Sequence, residues 1–216
     1  FYGQEQLYIN ENIRWVGKDM PAVKEEPYIS SFNNCITKFE FDIYEISIPG
    51  RFVKKYAKSW ESVSMVLYDA TYFGGPLMST MFLNDWAKEI RNSPASDMQK
   101  VGMAFDLVKG IQWNDEESLT TSETELSVIY KRKTGNSADI NLILYSLLKK
   151  LDFDVYPVVM STRENGVLSP IYPSINKLNY VIVLVKLDGQ NILLDATEKN
   201  LPVNMRIREQ VLILSV

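Results

Sequence analysis

The stretch from Ser137 to Leu151 sets Ile140, Ile143, Leu144, Leu147, Leu148 and Leu151 at spacings of i, i+3, i+4, i+7, i+8 and i+11. On a 3.6-residue helix these positions form an apolar face too broad to be left in water. Strand-length runs follow it: Phe153 to Met160, Leu178 to Leu187, Asn191 to Ala196, and Gln210 to Leu214. Between the second and third lies Asp188-Gly189, a hairpin signal because both central residues of a type I′ turn need positive φ. A core helix followed by hairpin-linked strands packs most simply as a helix laid on an antiparallel sheet. The expected fold class is therefore α+β.

Upstream, two textures meet near Pro49-Gly50. Residues 1–50 alternate like strands at Leu7 and Ile9, Ile13 and Trp15, and Ile36, Phe39, Phe41, Ile43 and Ile46, interrupted by the Pro21 to Pro27 stretch, which cannot be a central strand. We read a β-rich segment over 1–50 and an α+β domain over 51–216. From Arg51 to Gly135 the spacing is helical, with Tyr56, Trp60, Val63 and Leu67 on one stripe and Val101, Phe105 and Val108 on another. Ser96 with Gln99, and Ser122 with Glu125, fit capping boxes. Met78, Met81, Phe82 and Trp86 read as a core stripe, Cys35 as a small strand residue, and Asp115-Glu116-Glu117 as a solvated loop. Gly74-Gly75-Pro76 reads as a turn. The loop from Ser161 to Asn176 is long for a strand connection, a length at which loops can carry recognition.

Composition excludes much chemistry. The 216 residues include no histidine, so neither an imidazole base nor a His-ligated metal is available. A single cysteine, Cys35, allows no internal disulfide and no thiolate cluster. With 23 basic against 27 acidic side chains, the net charge of −4 comes without the basic stripe of a nucleic-acid binder. No apolar run approaches the ~20 residues that cross a bilayer. Phosphate-cradling glycine motifs are absent, so no cofactor is expected. Asp139, Asp195 and Glu198 are too scattered for more than a weak oxygen site, so no metal is expected either. Lys133-Thr134-Gly135 and Ser146-Leu147-Leu148-Lys149 match the K-T-G and S-x-x-K elements of penicillin-binding proteins, but in reversed order, and are set aside.

Three ordered elements remain: Gly135-Asn136-Ser137-Ala138-Asp139, then Asn179-Tyr180-Val181, then Asp195-Ala196-Thr197. Together they resemble the core of the transglutaminase-like superfamily, with its papain-like helix-on-sheet arrangement, over roughly residues 101–202. In that family a G-x-C-x-D segment opens a helix, a His begins a strand, and an Asp on the next strand leads into D-x-T. Gly135, Asp139 and Asp195-Ala196-Thr197 keep the pattern. Ser137 stands at the Cys position and Tyr180 at the His position. Val23 to Tyr28 and Ser59-Trp60 further resemble a β domain that precedes this core in envelope-associated proteins of Bacteroides-like bacteria.

The two departures bear on catalysis. A serine at the helix tip has no imidazole to take its proton, and a tyrosine would need its pKa lowered by about three units, ~4 kcal/mol, to serve as base at neutral pH. The resemblance thus implies a triad that is degenerate at Ser137, Tyr180 and Asp195, leaving a non-catalytic binding or scaffolding module. It also implies other domains of a longer polypeptide, which fits a start at Phe1, and a cell-envelope, periplasmic or extracellular setting. Peptides or glycans are the expected ligands, with Asn136, Asp139 and Asn179 as candidate binding residues. These side chains also have structural roles: Asn136 as N-cap with Asp139 three residues on, Tyr180 as a half-buried strand aromatic bonded to Asp195, and Asp195 as a strand end tied to Thr197. Two rival readings stand beside the first. One is a hydrolase or acyl-transferase using Ser137 with help from Tyr180, Lys133 or Asp139; the other is a purely architectural spacer.

Overall fold

The computed structural model describes residues 11–20, 22–24, 32–39, 41, 43, 45–48, 50–55, 59–169, 171–198 and 211–213. In chain order come a short helix α1 (Phe32–Cys35), strands β1 (Glu45–Ile48) and β2 (Phe52–Lys55), and helices α2 (Trp60–Asp69), α3 (Asn84–Asn92) and α4 (Asp97–Lys109). Next are β3 (Gln112–Trp113), α5 (Leu126–Arg132), β4 (Thr134–Gly135), α6 (Ser137–Lys150), β5 (Asp154–Met160), β6 (Tyr180–Leu187), β7 (Gln190–Leu194) and β8 (Val211–Ile213). The fold is α+β.

β7, β6, β5 and β8 form one sheet in that order, antiparallel throughout. Asp188 (φ 51°) and Gly189 (φ 73°) turn β6 into β7, the left-handed pair that a type I′ hairpin requires. Two-residue periodicity then divides β6 between two cores. Val181, Val183 and Val185 join the cluster beneath α6. Ile182 and Leu184, with Val158 and Met160 of β5, form a smaller cluster on the opposite face. Across the sheet, α6 contributes Ala138, Ile140, Leu142, Ile143, Leu144, Leu147 and Leu148, all with zero exposure. Each large aliphatic so buried contributes on the order of 1.5–3 kcal/mol, so this helix is the largest single anchor of the fold.

α4 packs against α6, and α2 and α4 bury the stripes expected of them, Val63 with Leu67 and Val101, Phe105 with Val108; Tyr56 lies outside the described residues. Ser96 and Gln99 form the capping box at the start of α4. Gly75 to Met78 form a 3-10 turn with Pro76 in its first turn. The N-terminal β structure is the hairpin of β1 and β2, paired antiparallel across residue 50 where the composition shifts. Ile46 lies in it, whereas Ile13, Trp15, Phe39, Phe41 and Ile43 carry no regular structure, and Leu7 and Ile9 fall outside the described residues.

Three expectations are corrected. Met78 and Met81 are 88% and 76% exposed, because two 3-10 turns separated at Ser79 and Thr80 break the helical stripe before α3 begins. Only Phe82 and Trp86 pack inward, on Tyr130 at 5.4 and 4.7 Å between ring centroids. Ser122 makes no capping box with Glu125; α5 starts from Glu125 without a side-chain cap, since Ser122 is engaged by the Asp139 carboxylate, a charge-assisted and stronger acceptor. Cys35 ends a helix and is exposed.

Candidate functional site

Local chemistry places the first residue of the site. Asn136 is the N-cap of α6: its side chain accepts from the Asp139 amide at 2.8 Å, and the Asp139 carboxylate accepts from the Asn136 amide at 3.0 Å. That reciprocal pair starts the helix at Ser137 and favours the acidic residue in its first turn. Gly135 just before it admits no side chain, because a Cβ there would stand 2.8 Å from the Asp139 Cβ and 2.9 Å from a methyl of Ile129. Approach this close to the helix tip is where glycine is required.

The chain from Asn114 to Ser122 then straps this tip. The parallel bridge of β3 with β4 launches it, with the Asn114 amide donating to the Gly135 carbonyl at 3.0 Å. The Ser137 amide donates to the Glu116 carbonyl at 3.1 Å. Ser118 holds the Ser137 hydroxyl on both sides: its amide donates to Ser137 Oγ at 2.8 Å, and Ser137 Oγ donates to its carbonyl at 3.1 Å. Asn136 Nδ2 donates to the Thr120 carbonyl at 3.1 Å. Ser122 donates twice to Asp139, from its amide at 2.9 Å and its hydroxyl at 2.7 Å. Ser137, Asp139 and Asn136 are consequently buried, Ser137 with zero exposure.

A second unit forms where β6 meets the end of β7. The hairpin brings Tyr180 Oη to 3.0 Å from Asp195 Oδ2. Asp195 Oδ1 accepts from Thr197 through both its amide (3.1 Å) and its hydroxyl (2.8 Å). The Tyr180 and Thr197 hydroxyls lie 2.9 Å apart. Burial, reinforced by the negative charge of Asp195, pushes the Tyr180 hydroxyl far above its ordinary range, because both effects oppose forming a phenolate. At neutral pH this tyrosine keeps its proton and donates it to the carboxylate.

Asn141, to which sequence reasoning assigns no role, ties helix to sheet. Its Nδ2 donates to the Val181 carbonyl (3.0 Å) and to Asp195 Oδ1 (2.9 Å), while its Oδ1 accepts from the Ala196 amide (2.9 Å). The available signal is an amide set among Ile140, Leu142, Ile143 and Leu144, since a buried amide demands partners. Glu117 is also missed. Part of the run read as a solvated loop, it accepts from Asn179 Nδ2 at 3.1 Å and from Thr162 Oγ1 at 3.2 Å, and Asn179 Oδ1 accepts from the Thr162 amide at 2.8 Å.

The candidate residues thus fall into three hydrogen-bonded groups: Asn136, Ser137 and Asp139 under the strap; Tyr180 with Asp195; and Asn179 with Thr162 and Glu117. Among the described residues no hydrogen bond joins Ser137 to Tyr180 or Asp195. Lys133, in left-handed conformation at the end of α5, lays its ammonium over the rings of Tyr130 (3.9 Å) and Trp86 (4.6 Å), and burial lowers its pKa. Among the described residues no group of three or more potential ligands is disposed to hold a metal ion, and no helix is long and apolar enough to cross a membrane.

No protein-family model matches the chain, and no curated protein does. Among solved structures, the chain is similar to "a putative protease" from Parabacteroides distasonis, with a TM-score of 0.51 and 11% identity, over 72% of this chain and 31% of that one. It also matches "a putative cysteine protease" from Cytophaga hutchinsonii, with a TM-score of 0.40 and 16% identity, over 56% of this chain and 40% of that one. The chain therefore spans about a third of the length of the first of these. At 11% identity the likeness is one of chain path: this α+β chain has a protease-like fold.

Proposed function

We propose that the chain is a transglutaminase-like domain that no longer catalyses and serves as a binding or scaffolding module of a longer cell-envelope, periplasmic or extracellular protein. The observation that carries this reading is Ser137: it has zero exposure, and its hydroxyl is held as both donor and acceptor by Ser118. A nucleophile must reach its substrate and lose its proton to a base. Ser137 meets neither need, the chain has no histidine, and Tyr180 is held protonated. The protease-like fold and the ordered positions of Ser137, Tyr180 and Asp195 support the family reading. The same cluster serves instead as a cap and a helix-to-sheet tie.

Incubation with a fluorophosphonate probe, alongside amidase, peptidase and amine-transfer substrates, tests this. The expected result is neither labelling nor turnover above buffer while a control serine hydrolase is labelled to completion. Labelling or turnover that disappears in Ser137→Ala would overturn the reading and restore the hydrolase alternative.

A further inference from the structure

The long loop between β5 and β6 carries a dipeptide with chemistry of its own. Asn165-Gly166 is the single Asn-Gly pair in the 216 residues. When glycine follows asparagine, the next amide nitrogen has no Cβ beside it and can reach the side-chain carbonyl carbon. That nitrogen then closes a five-membered imide and expels ammonia, a reaction that runs in water without enzyme or cofactor. The pair lies partly open to solvent, between exposed Glu164 and the 63% exposed Val167, so water reaches it.

The fold restrains every group that would have to move. Asn165 Nδ2, the leaving group, donates to Ser161 Oγ at 3.0 Å and to the Lys177 carbonyl at 2.9 Å. The Gly166 amide, the nucleophile, donates to the Thr162 carbonyl at 3.2 Å, beside the Asn165 amide at 3.0 Å. Ser161 Oγ in turn donates to the Gly166 carbonyl at 2.6 Å. Gly166 holds φ 124°, and a Cβ there would stand 3.0 Å from Asn34 Oδ1, the atom that accepts from the Val167 amide at 3.0 Å. Asn165, Gly166 and Val167 together border a cavity of about 380 Å³, whose lining also includes Trp60 and Asn34. The bonds that restrain Asn165 are thus the ones that hold this wall in place.

We propose that Asn165 is a deamidation site whose conversion unfastens the 161–177 loop. The Gly166 nitrogen bonds to Asn165 Cγ, the Cγ–Nδ2 bond breaks, and Nδ2 leaves as ammonia with the proton of the Gly166 amide. One water then opens the imide at either carbonyl, giving aspartate or an isoaspartyl link at 165; nothing is oxidised or reduced. The product carboxylate only accepts, so both bonds donated by the former amide are lost. Its charge falls where an N–H met the Lys177 carbonyl, and two acceptors cannot share that contact. An isoaspartyl link also inserts one methylene into the backbone just before Gly166. Local opening sets the rate. The bonds of Nδ2 and of the Gly166 amide must release together, so the native chain should react about a hundredfold more slowly than the unfolded one. Nothing in this chemistry depends on the Ser137 cluster.

Incubation of the 216-residue chain in mildly alkaline buffer, with and without concentrated urea, tests the site by peptide mass mapping. The unfolded chain should convert Asn165 ahead of its other asparagines, and the native chain about a hundredfold more slowly. Ser161→Ala, which removes one acceptor of Nδ2 and the donor to the Gly166 carbonyl, should speed the native reaction about tenfold. Equal rates in native and unfolded chains, or no acceleration in Ser161→Ala, would overturn the protected site. Asn165→Asp stands in for the product. Hydrogen exchange of its Gly166 and Val167 amides should rise about tenfold or more while the α6 amides keep their protection. Unchanged exchange at Gly166 and Val167, or loss of α6 protection in either variant, would overturn the claim that these bonds fasten this loop alone.

Discussion

Replacing Asn141 with leucine keeps the shape of the side chain and deletes three hydrogen bonds at zero exposure. The Ala196 amide is left without its acceptor, the Val181 carbonyl loses a donor, and Asp195 Oδ1 keeps only the amide and hydroxyl of Thr197. A net bond contributes ~1 kcal/mol, a bond to a charged group ~1.5–3, and an orphaned buried donor costs ~1–3, which together predict a loss of roughly 3.5–7 kcal/mol. That is a large fraction of the stability of an ordinary domain. Urea unfolding at neutral pH, followed by far-UV circular dichroism, measures it as a drop in midpoint at constant slope. Asn141→Asp sharpens the test. It would set a second carboxylate 2.9 Å from Asp195, where two like charges cannot both ionise and one pKa rises. A carboxyl whose folded pKa is raised stabilises the fold as it gains its proton, so this variant should regain stability as pH falls from 7 toward 5, unlike the leucine variant. A loss under 1 kcal/mol for Asn141→Leu, or no recovery of Asn141→Asp in acid, would refute the idea that this amide ties helix to sheet.

The strap and the alkaline limb give two more tests. Ser122→Ala removes a hydroxyl 2.7 Å from the Asp139 carboxylate and should cost ~1.5–3 kcal/mol, whereas Glu125→Ala, which deletes the acceptor a capping box would need, should stay within ~0.5; the reverse order in urea midpoints would reinstate a capping box at α5. Burial raises the hydroxyl pKa of Tyr180, and of Tyr68 and Tyr145. The unfolded chain therefore ionises these tyrosines first. Stability is fully present below pH ~10 and should fall above it by about 1.4 kcal/mol per pH unit for each such group. Tyr180→Phe should remove one group's share of that slope, and a slope unchanged between wild type and variant would contradict the buried Tyr180-Asp195 pair.

Much of the fold follows from interactions that close within four residues or across a two-residue turn, and such interactions are written in spacing. The Asn136-Asp139 cap, the apolar face of α6, the Ser96-Gln99 box and the Asp188-Gly189 turn are of this kind. So is the meeting of Tyr180 with Asp195, because one hairpin fixes the register between them. Pairings that close only when distant segments dock were not legible. Ser122 had a suitable partner three residues on, yet its partner is Asp139, seventeen residues away, because the folded strap offered a carboxylate instead. Asn141 reads in the sequence as one more position on a helix, since its three partners, Val181, Asp195 and Ala196, lie forty or more positions later.

Sequence by itself determined the class of the fold, the start of α6 and the absence of imidazole chemistry, all properties of local periodicity and composition. Tertiary structure decided that Ser137 is sealed beneath the 114–122 strap, that Met78 and Met81 face outward, and that the 161–177 loop closes a cavity against Trp60 and Asn34. The physical reason is that burial and partner choice depend on which surfaces meet in space, and residues far apart in the chain reveal no distance until the core between them has packed.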